Sequence, residues 1–169
     1  RVPDRRALAW LEQGGTVLLE PDGEAMPGSI RGQFTTDFWS VGTFPQQEGG
    51  MGLLIQENHP LFRYFPTSFH TDYQWWLMAG QRALRLPDEN LAEGILVRQM
   101  DSYAQLRSFA MMLEARVGRG RVLVCTMELD SLPDKPEVRQ MKNAIARYLG
   151  SETFQPRLSI PEETLAGLF

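Results

Sequence analysis

The chain has 169 residues, 43% of them hydrophobic and 22% charged, with a formal net charge of −4. That length suits one domain able to bury a core without disulfides or metals. The acidic balance argues against a nucleic-acid or anionic-membrane partner, and no apolar run approaches the roughly 18–20 residues of a membrane-spanning helix.

The chain opens "RVPDRRALAWLEQGGTVLLEP", with neither an initiator methionine nor a signal peptide, which reads as a segment cut from a longer polypeptide. Asp4 is placed to cap a helix from about Arg5, with Ala7, Leu8 and Leu11 on one face and Gly14-Gly15 as its stop. "TVLLE" then predicts a strand buried on both faces. Helix, Gly-Gly and apolar strand together look like the second half of a βαβ unit whose first strand is not in the sequence. Residues 22–50 are punctuated by Gly and Pro and predict a long excursion, with a short helix near residues 37–40. "MGLLI" predicts a strand at 51–55.

Next comes "HPLFRYFPTSFHTDYQWW", residues 59–76, which holds both histidines and a cluster of aromatics. "QWWLMAGQRALRLP" predicts strands near 73–79 and 82–86, and "GILVRQM" another at 94–100. "FAMMLEARV" and "RVLVCTM" flank Gly118-Arg119-Gly120 and predict a hairpin. "PDKPEVRQMKNAIARYLG" predicts a helix over 135–149, with Asp134 and Glu137 as a capping box and Val138, Met141, Ile145 and Tyr148 as its apolar stripe. Residues from Ser151 onward, with Pro156 and Pro161, predict a loosely packed arm or linker.

Chemistry-bearing residues are few. Cys125, the only cysteine, lies in a predicted strand, where a thiol acts as a small hydrophobe. It can form neither an intrachain disulfide nor a cysteine-cluster zinc site. His59, His70 and Asp72 are candidate ligands or interface residues, although their spacing matches no metal motif. Trp75 and Trp76 could stack on sugar rings; in a strand they would point to opposite faces, and packing is the competing reading. Glu20, Glu57, Glu114, Glu128 and Asp130 lie near predicted strand ends, where a glycosidase carboxylate pair would be sought. No phosphate cradle and no nucleophile elbow is present, and no cofactor is expected.

Three pieces in order, "LAWLEQGGTVLL", "MGLLIQENHPLFRYFPTSFHTDYQWW" and "EARVGRGRVLVCTMELDS" with "PEVRQMKNAIARYLGS", resemble the class I glutamine-amidotransferase-like domain near the C-terminus of bacterial glycoside hydrolase family 2 proteins. They are similar also to trehalose-utilisation-type domains and to a β-galactosidase trimerisation domain. The resemblance implies a three-layer, flavodoxin-like α/β fold over residues 1–150, mostly parallel with an antiparallel hairpin and lacking its first strands, followed by an arm at 151–169. It implies no catalytic residue in this segment, because the amidotransferase elbow has no counterpart. The expected role is a non-catalytic accessory domain of a periplasmic or secreted glycosidase. Its expected partners are other domains of the polypeptide, a glycan or a second copy. Carbohydrate binding through Trp75 or Trp76 and a trehalose-utilisation-type hydrolase are the alternatives. Strands 16–20, 51–55 and 121–127 are expected at the centre of the sheet. Residues 59–76 are expected to form a structural lid, with Leu61, Phe62 and Phe65 plugging the core and His70 buried and pinned.

Overall fold

A computed structural model describes residues 3–34, 50–103, 105–132 and 134–169. The helices are α1 (Arg5–Glu12), α2 (Trp76–Ala79), α3 (Pro136–Leu149) and α4 (Glu162–Ala166). The strands are β1 (Thr16–Leu19), β2 (Ile30–Arg31), β3 (Gly50–Ile55) and β4 (Arg82–Arg85). They continue with β5 (Ile95–Asp101), β6 (Phe109–Val117), β7 (Gly120–Cys125) and β8 (Ser159–Ile160). The excursion expected to hold a helix near residues 37–40 lies outside the described residues.

Helix α1 starts where the sequence predicts. The Asp4 carboxylate accepts from the Ala7 amide at 2.8 Å, satisfying an N–H that a helix start leaves unpaired. It stops at Gly14, whose φ of +90° suits a residue without a side chain. Helix α3 departs from expectation at its start. Lys135 occupies the cap position and makes no side-chain cap bond, so Asp134 and Glu137 do not form a capping box. Pro136 in the first turn begins the helix without losing an intrahelical bond.

The eight strands among the described residues belong to one mixed sheet. Of their pairings, only β1–β7 and β6–β8 run parallel. The pairs β2–β4, β3–β5, β4–β6, β5–β6 and β6–β7 are antiparallel. This overturns the expected mostly parallel, flavodoxin-like sheet. The reason is connection length. A two-residue turn, Gly118-Arg119, joins β6 to β7, and residues 102–108 join β5 to β6. Links this short reverse the chain into an antiparallel neighbour; a parallel neighbour needs a crossover of a dozen residues or more. Apolar runs reveal burial but carry no information on strand direction.

The centre of the sheet also differs from expectation. β6 is the hub, pairing with β7, β5, β4 and β8 along its nine residues. β7 lies inside the sheet as expected. β3 pairs with β5 on one side and is bridged on the other by residues 69–70, while β1 pairs with one described strand and forms an edge. Consistent with an edge, Leu18 of "TVLLE" is exposed, so that strand is not buried on both faces.

The interior strands bury both faces. Leu123 and Cys125 of β7 join one apolar cluster with Val138, Met141, Ala144, Ile145 and Tyr148 of α3. Their neighbours Val122 and Val124 join a second cluster with Leu11 of α1 and Leu165 and Leu168 at the C-terminus. Alternating side chains send successive residues to opposite faces, so α3 covers one face and the terminal helices the other. The residues after Ser151 are therefore packed, not loose. Phe154, Leu158, Ile160, Leu165 and Leu168 are buried, and β8 pairs with β6.

Candidate functional site

Residues 59–76 split into two parts. His59 is extended, as a residue before proline must be, and a short 3-10 turn (Pro60–Arg63) follows. Leu61, Phe62 and Phe65 are buried and fill the end of the core beneath α3, as the sequence predicts.

The second part departs from the sequence reading. The expected strand at 73–79 is instead a 3-10 turn (Tyr73–Trp75) running into α2. Asp72 starts it by accepting from the Gln74 amide at 3.1 Å. An Asx cap of this kind offers the backbone a helical start that apolar periodicity over four residues cannot reveal. Trp75 is fully buried between Phe62 and Phe65, and its indole N–H donates to Thr67 Oγ1 at 2.8 Å. It therefore cannot stack on a sugar. Trp76 is half-exposed, with its ring edge-on to Phe34. His70, expected to be buried, is exposed. It pairs with Leu54 across an antiparallel bridge, and its Nδ1–H donates to the Thr71 carbonyl at 3.0 Å.

His59 alone of the five candidates enters a cavity. It lies at the floor of a cleft of about 740 Å³, together with Glu114 from β6 and Tyr148 from α3. Glu114 sits opposite Leu123 in the register, so its side chain faces α3. The Tyr148 hydroxyl donates to Glu114 Oε2 at 2.8 Å. His59 Nε2 lies 3.3 Å from that hydroxyl and 3.5 Å from Glu114 Oε1. The Leu61 amide donates to His59 Nδ1 at 3.4 Å. Nδ1 therefore carries the lone pair, and in the neutral ring the proton sits on Nε2, aimed at the phenol and carboxylate. Burial, reinforced by the bond to Glu114 and the charge of that carboxylate, pushes the Tyr148 phenol well above its ordinary range. The phenol stays protonated and keeps donating.

The C-terminal segment forms one wall of the cleft. Arg116 Nε donates to the Pro156 carbonyl at 2.9 Å, and Arg121 Nη1 to the Phe154 carbonyl at 2.7 Å. Phe154 packs on Tyr148 with ring centroids 5.1 Å apart. These contacts carry Gln155 and Arg157 to the cleft rim. Phe69, Glu57, Asn58 and Glu93 line other parts of the rim.

The arrangement holds a carboxylate; it does not activate a nucleophile. Both His59 nitrogens are occupied by neighbours, leaving no free ring nitrogen to act as a base. Cys125 is buried, and desolvation pushes its thiol up to about 12. Among the other candidate carboxylates, Glu20, Glu128 and Asp130 line a separate hollow of about 550 Å³. There burial, aided by the Asp130 charge, raises Glu20, while the hydrogen bond from Lys142 holds Asp130 low. Among the described residues, no three His, Cys, Asp or Glu side chains converge to hold a metal.

Sequence reasoning passed over Glu114 and Tyr148 as a pair. The signals were present: a carboxylate at an inward position of an apolar strand, and a phenol on an apolar helix stripe. Each needs a buried partner. Only the packing of α3 on β6 shows that each satisfies the other.

Fold and site together define a mixed α/β domain with a polar, preorganised cleft. The chain matches, over residues 1–169, the family described as Domain of unknown function (DUF8487), and it belongs to that family. No curated protein matches it.

Proposed function

We propose that this domain is a non-catalytic accessory module of a larger carbohydrate-active polypeptide, packing against a neighbouring domain beside β3. The observation that carries the packing role is the set of exposed large side chains on and beside β3. Leu54 of β3 is 45% exposed, and Tyr73 and Trp76, just after the segment that bridges β3 at His70, are 82% and 53% exposed. Aromatic residues are enriched where proteins meet. The carbohydrate context rests on the ordered resemblance of the three segments to the glycoside hydrolase accessory domain.

Two measurements test this reading. The chain alone is expected to hydrolyse neither chromogenic β-galactosides nor β-glucuronides; turnover would overturn the proposal. Hydrogen exchange is then compared between the chain alone and the polypeptide encoded by the complete reading frame. Amides of residues 53–55 and 73–76 are expected to exchange more slowly in the latter, and equal exchange in both rejects the packing role.

A further inference from the structure

We infer that the cleft beside His59 is a binding site for one or two rings of a neutral sugar. The inference goes beyond the packing role, because the cleft and the β3 surface use different side chains.

Four observations converge on it. The first is size: about 740 Å³ lies within the range of small-molecule sites. The second is an apolar wall. Phe69 lines the cleft and is 56% exposed, its ring perpendicular to that of His70 with centroids 4.9 Å apart, so it offers aromatic surface to a ligand. The C–H face of a pyranose ring matches such a surface.

The third observation is the rim. Glu57, Asn58, Glu93 and Arg157 make no side-chain hydrogen bond or ion pair among the described residues. The carboxylates only accept, the guanidinium only donates and the amide does both. A ligand satisfying all four must offer donors and acceptors close together, as vicinal hydroxyls do. Planar carboxylate, amide and guanidinium groups can each engage two neighbouring hydroxyls at once.

The fourth observation is charge. Glu57, Glu93 and Glu114 line the same cleft as a single guanidinium, that of Arg157, and this excess of negative charge disfavours a phosphate or other strong anion. Arg157 offsets part of that negative charge at the rim, and a cation would leave its guanidinium without an acceptor. An apolar ligand would strand the polar rim. A neutral polyol with one apolar face meets every condition. The bonds among His59, Tyr148 and Glu114 hold the floor in place before any ligand arrives.

The test is a titration of the isotopically labelled chain with cellobiose, lactose, maltose and mannobiose, followed by amide NMR shifts. At least one disaccharide is expected to give saturable shifts centred on residues 57–59, 69, 93 and 155–157. Phe69→Ala is expected to weaken binding by about tenfold or more, and Arg157→Ala or Asn58→Ala by about threefold to tenfold. These side chains are exposed, so the variants are expected to fold, which their amide spectra check directly. Trp76→Ala is expected to leave affinity unchanged. Three results overturn the inference: no saturable shift with any of the four sugars, undiminished binding by folded Phe69→Ala, or tighter binding of inorganic phosphate or glucosamine than of every neutral disaccharide. The slowed exchange expected at residues 53–55 and 73–76 is read separately, so either idea can fail while the other stands.

Discussion

Phe62 and Trp76 belong to one aromatic-rich stretch, and a composition profile treats them alike. Phe62 lies at the end of the core under α3, only 2% exposed, whereas Trp76 is 53% exposed. The two histidines divide the same way. His59 is held among Leu61, Tyr148 and Glu114 at the floor of a cleft, while His70 bonds a backbone carbonyl at the surface. What separates the halves is the partner each meets. The turn at Pro60–Arg63 faces the apolar stripe of α3; the segment at Phe69–Thr71 bonds to the outer side of β3, away from β5, and leads into the exposed Tyr73 and Trp76.

Substitutions sharpen that contrast, and the largest effects belong to the buried half. Phe62→Ala or Phe65→Ala is expected to cost about 3–5 kcal/mol, through lost burial and the cavity left behind. Chemical denaturation measures this. A cost under about 1 kcal/mol would mean that the plug does not hold the core.

Tyr148→Phe is expected to cost about 1–3 kcal/mol, because Glu114 loses its closest donor in a largely buried position. This variant also tests a pH effect. The phenol is raised in the folded protein and close to about 10 in the unfolded chain. Its contribution is therefore fully present below about pH 10 and is lost as pH rises from there toward the higher folded value. Tyr148→Phe should flatten that alkaline decline in a series of melts. An unchanged decline would locate its cause elsewhere.

Asp101 provides an acid-side counterpart away from the cleft. Burial alone would raise its carboxyl, but hydrogen bonds from the Arg107 side chain and backbone outweigh that and hold it below its ordinary value. With the folded value depressed, this contribution is present above about pH 4 and is lost as pH falls through the lower folded value. Asp101→Asn is expected to lower stability at neutral pH by about 1–2 kcal/mol and to weaken the acid dependence. Equal acid limbs for variant and parent would refute this.

The smallest effects belong to the exposed half. His70→Ala and Trp76→Ala are each expected to change stability by no more than about 0.5 kcal/mol in the chain alone. A larger loss would show that the second half of the stretch is as structural as the first.

Several features were legible in the residues because their causes are local. Asp4 and Gly14-Gly15 bound α1, Gly118-Arg119 turns the β6–β7 hairpin, and the period of Val138, Met141, Ile145 and Tyr148 marks α3. Pro60 forces His59 into an extended conformation, and the apolar residues that follow had to be buried.

Strand direction and strand position were different in kind. The runs "TVLLE" and "MGLLI" read as central strands, but the first proved to be an edge and the second lies outside β5, bridged on its far side by residues 69–70, because an apolar run does not record which neighbours pair with it. The C-terminal residues, rich in proline and polar side chains, read as a loose arm. Arg116 and Arg121, some 33–40 positions earlier, hold their carbonyls against the sheet. The cleft itself joins His59, Glu114 and Tyr148, residues 34–89 positions apart. Their residue types could mark them as needing partners; only the packing of α3 and the turn at Pro60–Arg63 against β6 decided that they would be partners to one another.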